Sequence, residues 1–417
     1  MTILSANPPG SAALERPDET PSSAPWAAPW PCWVEVDLDA LAQNVRVLQQ
    51  TATPRLGVTV VVKAQAYGLG ATAVAETAVK AGAIGAAVAR VAEGVQLRAN
   101  GFQAPILLLG AITPAQAADV VRLRLTPTVT EWATATWLAG AAHTAGMRLG
   151  IHVKVDTGMN RYGGSPAEAM ALVRGLANFP SLRLDGFFTH FAAADEQDLW
   201  FARQQLAYYL SICRQLESEG FELGMKHAAN SAGALRVPGA GLDTIRAGIA
   251  LSGSHATRWV PRIAALKPAV ALKARVARLH VPPVGSSVGY GRTYKVEHPM
   301  RVALITCGYA DGLPRACSNR GWVLIRGQRA RLVGTVSMDM AMADVSHLSS
   351  VEAGDEVVIL GRQGDDDVTL DELAGFAGII PHELLVRLGS RAPRLYLEHG
   401  APVRAATLSC DTALTIP

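Results

Sequence analysis

Short runs of β-branched and aliphatic residues recur along the chain between residues 58 and 249, for the most part roughly 20 to 35 residues apart. They read VTVVV (58–62), GAAVA (85–89), PILLL (105–109), LTPTV (125–129), LGIHVKV (149–155) and LRLDGFF (182–188). Weaker members sit at Met225–Ala228 and Ile245–Ile249. Between them lie segments of helical character such as ATAVAETAVKAG, TPAQAADVVRL and EWATATWLAGAAHTAG. Continuous apolar strands alternating with helices form parallel βαβ units, because parallel strands need a long crossover and are covered on both faces. Eight such units, none with the look of an edge strand, fit a closed (β/α)8 barrel better than the runner-up, a doubly wound open sheet.

Past residue 265 the period changes. VALKARVARLHV, RVALIT, WVLIRGQRARLVGTV and DEVVILG alternate apolar and polar residues between Gly and Pro, as half-exposed antiparallel strands do. Helical pattern returns at LDELAGFAG and PHELLVRLG. The expected architecture is an α/β barrel of the TIM type over 31–265, followed by a mainly antiparallel β domain over 266–400. The alternation in Cys32–Leu38 makes the first strand a candidate member of the β domain instead. Residues 1–30, with six prolines and no apolar period, read as a disordered arm, and 401–417 as a tail.

Composition removes several classes of function. The 38 basic and 35 acidic residues are scattered and leave a formal charge of +3, which advertises neither nucleic acid nor an anionic membrane. No apolar run is long enough for a membrane span. The first charges, Glu15 and Arg16, precede no apolar stretch, so a secretory signal is not expected. Cys32, Cys213, Cys307, Cys317 and Cys410 lack CxxC spacing and read as free thiols in a reducing, cytoplasmic setting.

In a barrel, chemistry gathers where strands end. The first run ends in VVVKAQAYGLG, placing Lys63 at the mouth, where desolvation can hold an amine neutral and nucleophilic; a lysine reaching solvent fits the same position. The fifth ends in KVDTGMNRYG, offering Lys154, Asp156 and Arg161, with the arginine fork suited either to a substrate carboxylate or to a loop salt bridge. The sixth ends in FFTHFAAADE with His190 in an apolar frame, where a hydrogen-bonded core histidine is as natural as a catalyst. Asn230 and Ser231 stand where a helix should start, and Gly248 follows a strand. A hydroxyl, helix-start amides and a glycine together make a phosphate cup; separately they are an N-cap and a turn. Tyr290 and Tyr309 lie in Gly-flanked loops of the β half and singly read as turn fillers. No HxxxH, HExxH, GxGxxG or GKS/GKT spacing supports a metal, dinucleotide or P-loop site.

As an ordered set these segments resemble the alanine racemases, pyridoxal-phosphate enzymes of fold type III. The resemblance runs from CWVEVDLDALAQNV (32–45) to SRAPRLY (390–396) and includes VVKAxAYG, KVDTGMNRxG and GYADG. It implies that Lys63 forms the internal Schiff base with the cofactor, pyridoxal 5′-phosphate. It further implies that Asn230, Ser231 and the amides near Gly248 and Ile249 bind the phosphate, that Tyr67 and Tyr309 add contacts there, and that Arg246 faces the pyridine nitrogen. Arg161 and the segment Met338–Asp339 would hold the substrate carboxylate. Tyr290 would be the second catalytic base, linked to His190 and Arg246. Tyr290 and Met338 would come from the partner subunit of a homodimer, and Lys154 stands where the family can carry a carbamate. The implied reaction interconverts L- and D-alanine, for cell-wall precursors or for catabolism. Two bases flanking Cα are what such a reaction requires.

Departures from the family pattern are Gln65 and Leu69 for the polar pair of KANAYGHG, Ser252 and Ser390 for tyrosines, and Cys307 for a proline. Ser390 motivates an alternative in which the entrance is looser and serine or larger side chains are accepted. A non-catalytic cofactor-binding regulator is the remaining alternative, although both bases are present.

Overall fold

The computed structural model describes residues 29–255, 259, 265–407 and 411–413; the arm expected at 1–30 therefore lies outside it through residue 28, as do parts of 401–417. All eight aliphatic runs are strands: β2 (Gly57–Val61), β3 (Gly85–Val88), β4 (Ile106–Leu108), β5 (Thr126–Val129), β6 (Leu149–Lys154), β7 (Leu182–Phe188), β8 (Met225–His227) and β9 (Thr244–Ala247). They are parallel neighbours in sequence order from β2 to β8, and β9 returns beside β2. The amides of Asp243 and Arg246 donate to the carbonyls of Lys226 and Ala229 at 3.0 and 2.9 Å, which closes the cylinder between β8 and β9. Every residue of β2, β3 and β4 is buried, the reason these strands read as unbroken apolar runs.

The first strand, β1 (Cys32–Asp37), lies outside the barrel. It pairs antiparallel with β10 (Val270–His280) and parallel with Arg394–Glu398, inside an eleven-stranded, mostly antiparallel sheet. Burial alternates along β10 from Val270 to Val276, matching its alternating sequence. Between β1 and the barrel, helix α1 (Leu38–Ala52) starts at Asp37, whose carboxylate accepts the Ala40 amide at 2.8 Å. Leu38, Leu41, Val45 and Leu48 form its buried stripe. Asn44 then ties α1 to the chain leaving the barrel, donating to the carbonyls of Leu251 (3.0 Å) and Lys267 (2.8 Å) and accepting the Lys267 amide (2.7 Å).

The segment set apart as a tail begins with a strand, Ala401–Ala406, antiparallel to Arg394–Glu398. Its sequence carries one β-branched residue, Val403, so register with the neighbouring strand rather than intrinsic preference holds it extended. Cys32, Cys213, Cys307 and Cys317 are buried free thiols; Cys410 lies outside the described residues.

Candidate active site

At the C-terminal mouth of the barrel a cavity of about 910 Å3 is lined by Lys63, Tyr67, Lys154, Arg161, His190, Asn230, Ser231, Arg246, Gly248 and Ile249, among others. Its floor is a buried polar chain. Arg246 on β9 donates to Nδ1 of His227 (2.5 Å), Nδ1 of His190 (3.0 Å) and the carbonyls of Thr189 (2.8 Å) and Ala228 (2.9 Å). Nδ1 of His152 lies 2.9 Å from Nε2 of His227. A guanidinium only donates. Nδ1 of His227 therefore accepts, its Nε2 carries the hydrogen given to His152, and neutral His190 keeps its hydrogen on Nε2.

Burial holds all three imidazoles below the ordinary histidine range, His152 at about 4. Burial also lowers Arg246, to about 10, so it stays charged at neutral pH. As pH falls through about 6.5 the unfolded chain takes up these protons before the native state does. Stability is thus complete above pH 6.5 and drains as pH approaches 4, His152 alone contributing roughly 3 kcal/mol. Denaturant midpoints measured from pH 7 to 4 should decline across that window; a flat profile would contradict the buried neutral network.

Lys63 follows β2. Its amine is held below the usual lysine value by burial and then by the Arg161 charge, with Glu93 acting in opposition. Beyond it Ser231 Oγ accepts the amides of Gly248 (3.0 Å) and Ala250 (3.4 Å), while Asn230 caps the helix Ser231–Arg236 by accepting the Gly233 amide (2.9 Å). A Cβ on Gly248 would stand 2.5 Å from the Tyr67 hydroxyl, so glycine is required for that approach. Burial pushes the Tyr67 phenol up to about 12, so it remains a donor. Hydroxyls and amides thus form a cup of the kind that takes a phosphate. With an amine at one end and a fixed cation on the floor, the residues present fit a phosphorylated aldehyde cofactor.

Lys154 is buried over the rings of Tyr162 (5.5 Å) and Phe188 (5.7 Å), and burial with the charges of Arg246 and Arg161 lowers its amine to about 8. Asp156 accepts the amides of Gly158 (2.8 Å) and Met159 (2.9 Å) and shapes the loop that carries Arg161.

The other expected site residues lie in turns and loops of the antiparallel domain. Tyr290, flanked by Gly289 and Gly291 at positive φ, has 74% of its surface exposed, and Met338 has 51%. Neither lines the cavity, nor do Tyr309 and Asp339. The amide of Ala310, next to Tyr309, donates to the Met338 carbonyl (3.0 Å), and Asp339 is held by Arg391, which also grips Asp311.

The departures fall into place as follows. Gln65 bonds Gln96 (2.7 Å), Leu69 is core, and Ser252 donates to the Ile249 carbonyl (2.7 Å). Ser390 lines a second cavity, of about 470 Å3, and not the one holding Lys63. Sequence reasoning did not identify His227 as the residue that orients Arg246: it ends a three-residue strand and carries no spacing signal.

Family models for the alanine racemase N-terminal domain and C-terminal domain match residues 36–256 and 269–396. An alanine racemase of Symbiobacterium thermophilum is 42% identical over 371 residues, covering 88% of this chain and 97% of that protein. One of Desulforamulus reducens is 39% identical over 369 residues, covering 88% and 99%. The crystal structure of alanine racemase from Bacillus anthracis with bound L-Ala-P superposes with a TM-score of 0.85 at 31% identity, covering 91% of this chain and 99% of that one.

Proposed function

The chain belongs to the alanine racemase family, and we propose that its pyridoxal-phosphate-dependent interconversion of L- and D-alanine runs through two bases, Lys63 and Tyr290, in a site completed by a second subunit. The observation that carries the reading is the single cavity in which the partly desolvated Lys63 amine, the Ser231–Gly248–Tyr67 cup and the buried Arg246 meet.

Bound in this cavity, pyridoxal phosphate supplies the electron sink that lets an α-proton leave. The chain's own groups do the rest. Ser231, Tyr67 and the amides at Gly248 and Ile249 hold the phosphate, and Arg246, which can donate but not accept, offers the ring nitrogen no base to share a proton with. Held against such a donor, the group would draw less charge away from Cα, which would favour return of the proton to that carbon. Arg161 orients the substrate carboxylate, with the Met338–Asp339 segment of a second subunit closing the other side. A carbamate on Lys154, which an amine near 8 is suited to form, would steady Arg161. Lys63 Nζ moves a proton on one face of Cα. Tyr290 of the partner subunit moves it on the other, and the Nε2 hydrogen of His190 stabilises the phenolate.

The homodimer is supported by the exposure of Tyr290 and Met338 outside the cavity they must complete. A cytoplasmic location, with D-alanine supplied to peptidoglycan, is part of the same reading; four buried free thiols accord with it. Among the described residues no helix is long and apolar enough to cross a membrane.

A chiral assay with added cofactor, running L-alanine beside L-serine, L-lysine and L-arginine, tests the reading. Alanine is expected to convert at least about tenfold faster than the rest, since one side-chain group is worth that much discrimination. Comparable rates would restore the broad-specificity alternative, and silence on all four with cofactor bound would leave the non-catalytic one.

A further inference from the structure

Immediately after Lys63 the backbone does something its residues do not favour. Ala64, Gln65, Ala66 and Tyr67 have φ of 50°, 57°, 51° and 57°, four consecutive non-glycine residues in the left-handed region. Each costs about 1–2 kcal/mol relative to the right-handed form. A turn of this kind persists only when its surroundings over-determine it. It also sets both the Lys63 amine at its start and the Tyr67 hydroxyl at its end.

The turn is held from two sides. On the antiparallel-sheet side, Arg394 donates to the Gly68 carbonyl at 2.9 Å and also to the carbonyls of Leu388, Gly389 and Ala392. On the barrel side Gln65 donates its side-chain amide to Gln96 (2.7 Å), and a single carboxylate reaches the backbone of the turn. Glu93, from the helix Val91–Ala99 after β3, accepts the Ala64 amide through Oε1 at 2.6 Å. Its Oε2 accepts the amides of Ala89 (2.7 Å) and Arg90 (2.9 Å). Capping its own helix explains the Arg90 bond but not the one to Ala64, 29 residues earlier. Through that bond, loops after two neighbouring barrel strands become one unit.

We propose that Glu93 is a positioning residue for the reaction: its carboxylate locks the left-handed turn so that the Lys63 amine is presented to the cofactor aldehyde and to Cα. The proposal rests on Lys63 being the cofactor-linked base. Glu93 also carries the negative charge that opposes the effect of Arg161 on the Lys63 amine. Of the cup, Ser231 and Gly248 follow β8 and β9 and have no bond to Glu93, and only the Tyr67 hydroxyl belongs to the turn, so phosphate binding leans on Glu93 much less than amine presentation does.

The experiment compares Glu93→Gln with wild type in two measurements. One is the rate at which the visible absorbance of lysine-linked cofactor develops on adding pyridoxal phosphate to the apoenzyme. The other is the affinity for pyridoxine 5′-phosphate, which fills the cup but has no aldehyde. The expected result is a rate lowered about 10- to 100-fold, the scale of a misplaced reacting group, with affinity lowered far less, because only Tyr67 of the cup belongs to the turn. Glu93→Asp, which keeps the charge but falls short of spanning both loops, should show the same split and serves if the amide variant does not fold. An unchanged rate overturns the proposal; so does a parallel loss of rate and affinity, which is what a merely structural role gives. Absorbance developing normally in Lys63→Ala would instead remove the premise about Lys63, an outcome separate from any result at Glu93.

Discussion

Replacing Lys63 with Ala is expected to abolish both racemisation and the visible absorbance of lysine-linked cofactor, while leaving the affinity for pyridoxine 5′-phosphate near that of the wild type. The first two losses share one cause, since the amine that links the cofactor is also the base for one face of Cα. A loss of at least about 10^4-fold in kcat is the scale for removing a group with both roles. The third quantity stays because the cup draws on Ser231, the Gly248 amide and Tyr67, none of which needs the amine. Lys154 makes the prediction sharp. It lines the same cavity with an amine lowered to about 8, so on acidity alone it rivals Lys63. It sits over Tyr162 and Phe188, however, and shares the Phe188 ring with Arg246. Borohydride reduction of the wild-type holoenzyme followed by peptide mapping should put the label on residue 63. A label on residue 154, or absorbance surviving in Lys63→Ala, would reassign the base.

Why Lys63 was legible and its surroundings were not has a physical reason. Strands covered on both faces write themselves as continuous aliphatic runs, so VTVVV and its seven companions announced the barrel, and the residue just past each run marked the mouth. The alternation in CWVEVDL likewise signalled a half-exposed strand, which is why β1 could be suspected of joining the antiparallel sheet, where it pairs with β10. Nothing in KAQAY signals a left-handed turn. Ala and Gln are ordinary helix formers, no glycine stands among positions 64 to 67, and the conformation is imposed by Glu93 and Arg394, distant in sequence. Tertiary bonds that override local preference leave no local trace. The strand Ala401–Ala406 was missed on the same ground.

The polar floor shows the other limit. Arg246 and His190 could be carried over through the family resemblance, but His227 is the residue that fixes which nitrogen of the network donates, and its neighbours HAAN say nothing of it. Ser390, where loss of a tyrosine suggests a wider entrance, lines the second cavity together with Gln65 and Arg394, a placement that no feature of the sequence signals.

Tyr290→Phe is the second decisive substitution, because it tests the chemistry and the assembly together. With the phenol gone, exchange of the α-hydrogen with solvent should fall by about 10^2- to 10^4-fold for one enantiomer, the range for removing a general base, and far less for the other, whose face Lys63 still serves. Net racemisation needs both faces and falls in both directions. Equal losses of exchange for the two enantiomers would argue against a base on each face. The same variant reads out the shared site. Tyr290 is exposed and does not line the cavity of its own chain, and in the proposed dimer the intact pair would come from two subunits. Lys63→Ala and Tyr290→Phe homodimers should each be nearly inactive, but a heterodimer of the two would combine Lys63 of one chain with Tyr290 of the other in one of its two sites. Co-refolding them in equal amounts should therefore restore about a quarter of wild-type activity, half of the dimers being mixed and each having one good site. If the two bases belonged to a single chain, every site in the mixture would lack one of them and no activity would return, whatever the degree of mixing.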